Sequence, residues 1–369
     1  MNILVNASNL KKGGGIQVAK SIFNLLGNFN EHHFIVVHSP YLGNISHFME
    51  WSDNVDVYEY TLPHNFQTLF FGRDKFLDSL VVNKNIDCVL TIFGPSIWTP
   101  KCKHVSGFAR AHIVMPDSPY FKKMGFGEKI KSWISNFLLI LMFKRNSKIY
   151  YTENQDISQR LKKKLKDVSV YTVTNYYNQI FDLKDKWIHK QLSSFNGITL
   201  LTISAAYPHK NLEIASNISV YLRENYPGFK FRFVFSIDEN EYDNHLDKQN
   251  IEFIGNVSIS ECPSLYTQAD IVFQPTLLEC FTATYVEAMK MEVPIITTDL
   301  GFARGICDDA AVYYSSTSYQ DAAESIITLS NNSQLRAKLI RNGKARLRTF
   351  DDYHQRVSKI IKICTHCCR

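Results

Sequence analysis

The stretch "ADIVFQPTLLECFTATYVEAMKMEVPIITTD", residues 269–299, decides the fold. An apolar run ends at Pro275, a helical period runs from Thr282 to Met291, and a second apolar run, "VPIITT", follows. Strand, crossover helix and strand in that order predict a parallel βαβ unit buried on both faces. The unit sets Glu279 at the C-terminal mouth of its first strand and Glu287 inside its helix. Thr284-x-x-Glu287 has the spacing of a capping box, which gives Glu287 a structural task. Glu279 has no such task. A carboxylate at a strand mouth beside helix N-terminal amides makes a bipartite site, with amides for phosphate oxygens and carboxylates for sugar hydroxyls.

Working outward, the same alternation recurs. "NILVNA", "HFIVVHS", "DCVLTIF", "HVSGFA" and "KIYYTE" read as strands, and "IQVAKSIFNLLGNF" as a helix. The pattern breaks at residues 175–197, which are polar and aperiodic, and resumes with "ITLLTIS", "KFRFVFSI" and "IEFIG". A chain of 369 residues exceeds the size of one core. The expectation is an α/β protein of two doubly wound, Rossmann-like domains facing an inter-domain cleft. Residues 1–178 form the first domain, 179–197 a linker, 198–348 the second domain, and 349–369 a C-terminal helix and tail that crosses back to the first.

Composition is that of a globular protein, 45% hydrophobic and 21% charged, without repeats or low-complexity tracts. The N-terminus reads as a strand rather than a secretory signal, so a cytosolic location is expected. The eight cysteines are scattered, and reduced core thiols are the expectation. The tail "CTHCCR" lacks the second ligand pair that a structural zinc site needs.

The net charge is +6, and it is unevenly placed. Residues 122–148 hold Lys122, Lys123, Lys129, Lys131, Lys144, Arg145 and Lys148 against Glu128 alone. Within them lies "WISNFLLILMF", residues 133–143, too short to span a bilayer. Two readings stay open: a buried helix with solvated lysines at its ends, or a basic, Trp-bearing surface that contacts anionic membrane from the cytosolic side. Nucleic acid is a poor partner, because the cations accompany an apolar helix rather than line a groove.

"KKGGGIQVAKS" puts Gly13, Gly14 and Gly15 between the first strand and first helix, where backbone can approach an anion. A dinucleotide fingerprint would need glycine where Val18 stands, so the run equally suits a plain helix-opening loop. "ISAAYPHKNL" sets Lys210 after the first strand of the second domain, as a point charge suited to phosphate or as a surface lysine.

On these residues the chain resembles the retaining glycosyltransferases of family 4, with the GT-B fold. The resemblance rests on the glycine loop, "RNSKIYYTENQDISQRL" as last strand and helix of the first domain, "YPHKNL", "IEFIGNVS", the Glu279-x7-Glu287 element and "QLRAKLIRNGKARLRTF". It implies that Glu287 binds the ribose, Glu279 lies by the donor sugar, and Lys210 contacts the diphosphate. It implies further that Phe281, Thr282 and Ala283 line the donor, that Gly14 and Gly15 lie near diphosphate and acceptor, and that His112 faces the sugar, with His104 as its rival and Asp117 orienting the loop. The chain departs from the family's pattern at Ala205-Ala206, where Gly-Arg is common, at Cys280 and Thr282, where glycines are usual, and at Gly305-Ile306, where a Glu is common. With no Asp-x-Asp motif, no divalent metal or other cofactor is expected. The implied reaction moves a hexose from a nucleotide-diphosphate sugar to a lipid-linked or oligosaccharide acceptor in bacterial surface polysaccharide synthesis. A nucleotide-sugar epimerase and a non-catalytic binding subunit of the same fold are the alternatives.

Overall fold

The computed structural model describes residues 1–11, 13–43 and 51–367. They form two compact units. The first comprises Met1–Pro116, Met124–Asn175 and the chain from Asp351 on, and the second comprises Asp117–Lys123 with Tyr176–Phe350.

Seven parallel strands make the sheet of the first unit: β1 (Asn2–Ala7), β2 (His33–His38), β3 (Val55–Glu59), β4 (Cys88–Thr91), β5 (Lys103–Gly107), β6 (Ile149–Thr152) and β7 (Ser169–Thr172). Their order across the sheet is β3-β2-β1-β4-β5-β6-β7. β1 lies between β2 and β4, with Leu4 opposite Ile35 on one side and Val89 on the other. Such strands are buried on both faces and so need continuous apolar runs, which "NILVNA" and "HFIVVH" supply. The last strand of this sheet is β7, one beyond "KIYYTE". Its four residues, Ser169–Thr172, lie at the sheet edge with none fully buried, so they carry little strand signal.

The second sheet repeats the scheme with β8 (Ile198–Thr202), β9 (Phe231–Phe235), β10 (Ile251–Phe253), β11 (Ile271–Gln274), β12 (Ile295–Thr298) and β13 (Ala311–Tyr314). Its order is β10-β9-β8-β11-β12-β13, again parallel throughout. In both sheets the strand order reverses beside the first strand, at β1/β4 and at β8/β11. Loops leaving the C-terminal ends of that pair diverge and open a crevice, the position where such sheets bind ligands.

Helix Tyr353–His366 completes the first core from the far end of the chain. Its Val357, Ile360, Ile361, Ile363 and Cys364 are buried in the cluster that holds Ile3, Val5, Ile22, Leu90 and Val105. Arg356 on the same helix is buried, and its guanidinium donates to Ser21 Oγ at 2.9 Å and to Asn175 Oδ1. Burial alone would lower the pKa of that guanidinium, and Glu153 opposes the effect. Cys364 of the "CTHCCR" tail is thus a core residue; Cys368 lies outside the described residues.

Helix Phe126–Asn146 does not fit the buried reading of the basic segment. Of its 21 residues only Phe143 and Asn146 are buried. Phe126, Ile130, Trp133, Ile134, Phe137, Leu138 and Leu141 are all exposed, Trp133 by 70% and Phe126 by 82%. At about 100° per residue these seven fall within roughly 140° of the helix circumference, and Lys129 and Lys131 flank the arc on either side. The inward face mixes polar and apolar contacts: Asn136 donates to His112 O at 3.2 Å, Asn146 donates to Thr99 Oγ1 at 2.8 Å, and buried Phe143 packs against Phe108 and Tyr150. The buried-helix expectation is therefore overturned, because the apolar arc faces out and only Phe143 and Asn146 of the helix are buried.

Since the last helix supplies core rather than surface, Ile360→Ala is expected to destabilise the first unit by about 2–5 kcal/mol. The check is the chemical denaturation midpoint against an exposed-face control, Lys362→Ala.

Candidate active site

The site is built where β8 and β11 end. After β8 the chain runs through Ser204-Ala205-Ala206-Tyr207 into a 3-10 turn, Pro208–Lys210, closed by Asn211 in the left-handed conformation at φ 56°. Pro208 opens the turn with its φ already set. Buried Asn211 donates its side-chain amide to Pro275 O at 3.3 Å, and Leu277 N donates to His209 O at 2.8 Å. Backbone and amide bonds thus knit the β8 loop to the β11 loop. This fixes Lys210 opposite Glu279.

Lys210 Nζ pairs with Glu279 Oε1, and both side chains are mostly buried, at 16% and 14% exposure. Thr276 Oγ1 donates to the same oxygen at 3.1 Å, and His209 Nε2 stands 4.0 Å from it. The His209 ring stacks on Tyr207 at 5.6 Å and meets the edge of Tyr120 at 6.0 Å. In so dry a setting the attraction between ammonium and carboxylate exceeds that of a surface pair. An anion arriving here meets a fixed positive charge with a carboxylate already beside it.

Tyr120 comes from Asp117–Lys123, which belongs to the second unit although it precedes it in sequence. Ser118 Oγ donates to Leu277 O at 2.6 Å, while Lys123 Nζ reaches Glu213 Oε1 at 2.9 Å and Asn211 Oδ1. Asp117 begins this strap, and Lys123 is an ion-pair partner within it rather than one more solvated cation.

Helix Ala283–Lys290 starts directly after the Glu279 loop, with Thr282 at its N-cap. Thr282 Oγ1 is buried and has no hydrogen-bond partner, and the cap residue makes no side-chain bond to the helix amides. Helix amides without a side-chain cap, a positive helix end and an unsatisfied hydroxyl together suit an oxyanion. Phe281 precedes them and packs edge-on against Phe350 at 6.1 Å. Ala283, first in the helix, has only a methyl group at that end.

Glu287 is not a capping residue. The cap lies at Thr282 rather than Thr284, and Thr284 Oγ1 instead donates to Ile203 O at 3.4 Å. Buried Glu287 accepts through Oε2 from Tyr266 Oη at 2.8 Å. Burial pushes its carboxyl up to about 7, and the tyrosine bond pulls the other way. Sequence reading missed Tyr266, which sits on the short helix Cys262–Tyr266, 21 residues before its partner. A Tyr facing a lone buried Glu leaves no mark in local spacing.

The remaining candidates stand in the first unit. Gly14 opens helix Gly14–Leu26, behind Gly13 at φ 76°, the one position of the run that itself requires glycine. A Cβ on Gly15 would touch Leu10 at 3.4 Å, so Gly15 serves local packing. His112 lies on the one-turn helix Ala111–Val114, half-buried, its carbonyl held by Asn136. His104 is a core histidine: its Nε2 meets Thr91 Oγ1 at 2.8 Å, its Nδ1 meets Asn146 O at 2.7 Å, and burial lowers its pKa to about 4.

Residues 184–346 match the family model of glycosyl transferases group 1. The capsular polysaccharide biosynthesis glycosyltransferase CapM of Staphylococcus aureus is 28% identical over 200 residues, 54% of this chain and 46% of that protein, so the match spans about half the length of that relative. A glycosyltransferase of Rickettsia africae superposes with TM-score 0.70 at 15% identity, covering 100% of this chain and 98% of that one. HepE of Anabaena, solved in complex with UDP and glucose, superposes with TM-score 0.68 at 13% identity over 98% of each chain. WaaG, a glycosyltransferase involved in lipopolysaccharide biosynthesis, gives TM-score 0.68 at 13% identity over 98% of this chain and 99% of its own. Likeness at such identity speaks for the fold, and the family match speaks for the unit that carries Lys210, Glu279 and Glu287. The comparisons thus show the GT-B fold for the chain and a match to glycosyl transferases group 1 over residues 184–346.

Proposed function

We propose that this protein is a retaining hexosyltransferase that takes its sugar from a nucleoside-diphosphate donor without a divalent metal and passes it to a lipid-linked or oligosaccharide acceptor in surface polysaccharide synthesis. The observation that carries the reading is the meeting, at the β8/β11 switch point, of Lys210, Glu279 and a helix N-terminus whose cap hydroxyl has no partner. In the reaction the bond between the anomeric carbon and the diphosphate oxygen breaks as the acceptor oxygen bonds to that carbon from the same face. The acceptor's proton leaves with the diphosphate. Negative charge grows on the departing phosphate, and Lys210 with the first amides of helix Ala283–Lys290 offsets it. Glu279 exchanges part of its bond to Lys210 for hydroxyls of the transferred sugar. Tyr266 fixes Oε2 of Glu287 and leaves Oε1 to accept from the ribose. His112, and Gly14 with Gly15, keep their roles beside the sugar and the acceptor as part of this proposal.

Helix Phe126–Asn146 supports the acceptor side. An exposed apolar arc that includes Trp133, with lysines along both margins, is the pattern of a helix lying in a membrane interface. Among the described residues no helix is long and apolar enough to cross a bilayer. Residues 122–148 are thus proposed as a peripheral contact with anionic lipid, which would bring the enzyme to a lipid-linked acceptor.

The first test is a thermal-shift panel of UDP, GDP, dTDP and CDP with their common sugars in EDTA, beginning with UDP-glucose. One nucleotide is expected to raise the melting temperature selectively. Lys210→Ala should weaken that nucleotide's binding by about 10- to 100-fold, the range for a bond to a charged group. Glu279→Gln should leave the fold intact and lower transfer on the order of 100-fold. No shift with any nucleotide would favour a non-catalytic subunit, with Ala205-Ala206 as its explanation.

Glu287 makes a separate prediction about pH. Its carboxyl titrates near 7 when folded and near 4.5 when unfolded, so between those values the folded chain holds a proton that the unfolded chain has released. Stability from this group therefore falls as pH rises through that window. Glu287→Gln removes the effect: its melting temperature relative to wild type should be higher at pH 8 than at pH 4.5, while the nucleotide shift is lost. An equal difference at both pH values would overturn the buried-carboxyl assignment.

A further inference from the structure

Eleven of the seventeen exposed large apolar side chains among the described residues lie on two segments of the first unit, helix Phe126–Asn146 and Phe66–Phe71. The second segment has no part in the proposed chemistry, and its sequence is not basic. Phe66, Phe70 and Phe71 are exposed by 65%, 67% and 62%, and the Phe66 ring packs on the other two, with ring centroids 4.8 Å from Phe70 and 5.6 Å from Phe71. Three exposed phenylalanines, two of them packed on Phe66, form a largely uncovered knob.

The knob is rigidly built. Gln67–Phe71 is a single π-helical turn, ended by Gly72 at φ 64°, where a Cβ would meet Thr99 Oγ1 at 2.7 Å. Thr68 is buried and donates to Pro63 O at 2.6 Å, while its amide is capped by Asn65 Oδ1 at 3.0 Å. Arg145 then ties the turn to the long helix, its Nη1 donating to Leu69 O at 2.8 Å and Phe70 O at 3.0 Å, and its Nη2 to Ile97 O at 2.9 Å. Arg145 projects within the same angular range as the exposed stripe of its helix. The stripe therefore runs on into the knob, with the arginine as the joint.

We infer that Phe66, Phe70 and Phe71 form an insertion knob that enters an anionic bilayer alongside the exposed face of helix Phe126–Asn146. Charge decides the occupant. Lys129 and Lys131 border the stripe, Lys144 and Lys148 stand exposed at its knob end, and Lys75 is exposed just after the knob. The one acid of residues 122–148, Glu128, is spent on its helix start, where it accepts from Gly125 N at 2.9 Å. A second copy of this surface would bring lysines against lysines, whereas anionic headgroups neutralise them while the rings enter the acyl boundary. A second attachment, displaced along the helix from Trp133, fixes the orientation of the unit on the membrane as well as its distance. The inference rests on the membrane contact proposed above and extends it to a segment outside residues 122–148.

The test uses the full chain with vesicles of phosphatidylglycerol mixed with phosphatidylcholine. Phe66→Ser, Phe70→Ser and Phe71→Ser combined should weaken vesicle binding at least about tenfold while keeping its salt dependence, since apolar transfer is lost and charge is not. Lys129→Gln with Lys131→Gln should do the reverse and flatten the salt dependence. Phe70→Trp, which keeps the knob aromatic, should gain fluorescence that shifts to the blue on vesicles and is quenched by brominated lipid. Wild-type vesicle binding by the triple serine variant, or a Phe70→Trp signal indifferent to brominated lipid, overturns the knob and leaves the helix contact standing. A wild-type chain that ignores vesicles overturns both. Self-association that the serine variant abolishes, without vesicle binding, assigns the surface to a second copy instead. The nucleotide thermal shift is unaffected in every case, which separates these outcomes from failure of the donor site.

Discussion

A parallel strand has no short route back to its neighbour. Each strand of both sheets must be followed by a crossover, and the loops leaving the C-terminal strand ends collect along one edge. Where the order turns, between β8 and β11, two of those loops part and leave a crevice that no side chain of the sheet fills. Lys210 and Glu279 stand in that crevice because topology puts their loops there. Asn211, Thr276 and the bond from Leu277 N to His209 O hold the loops at the spacing at which ammonium and carboxylate meet. The chemistry is thus carried by loop ends, and its precision by the sheet below.

The electrostatics of this crevice are unusual in how little bare charge they display. Its lysine is paired, and its deeper carboxyl, Glu287, is buried enough to hold a proton near neutral pH. In the proposed reaction, positive potential for the donor's phosphate would come from the start of helix Ala283–Lys290, whose dipole cannot be neutralised by a proton. An arginine at Ala205 or Ala206 would add a formal charge. In its absence the proposed reaction would rely more on the geometry of backbone amides.

Much of this could be read in the sequence. The βαβ stretch at residues 269–299 identified strand, loop and helix within a residue or two, because a doubly buried parallel strand must be an unbroken apolar run bounded by turn residues. What escaped the sequence depends on partners far along the chain. Glu287 reads as a capping residue by local spacing, and only the fold brings Tyr266 to it. The apolar run in helix Phe126–Asn146 reads equally as core or surface, since periodicity shows that one face is apolar and not which way it points. Direction is seen only in the structure, where Asn136, Phe143 and Asn146 meet the unit and Trp133 faces out. The knob at Phe66–Phe71 gave no period at all, being one π turn.

The return of helix Tyr353–His366 to the first unit bears on how the protein is made. The second unit needs almost nothing from beyond Phe350 and can close its core as soon as that residue is free of the ribosome. The first unit, though synthesised earlier, keeps Ile22, Leu90 and Val105 without their final cover until Val357 and Ile360 arrive. Order of synthesis and order of completion are reversed. A nascent chain therefore carries an unfinished apolar groove through the whole time its second half is being translated, and that interval is when a chaperone would find its binding site.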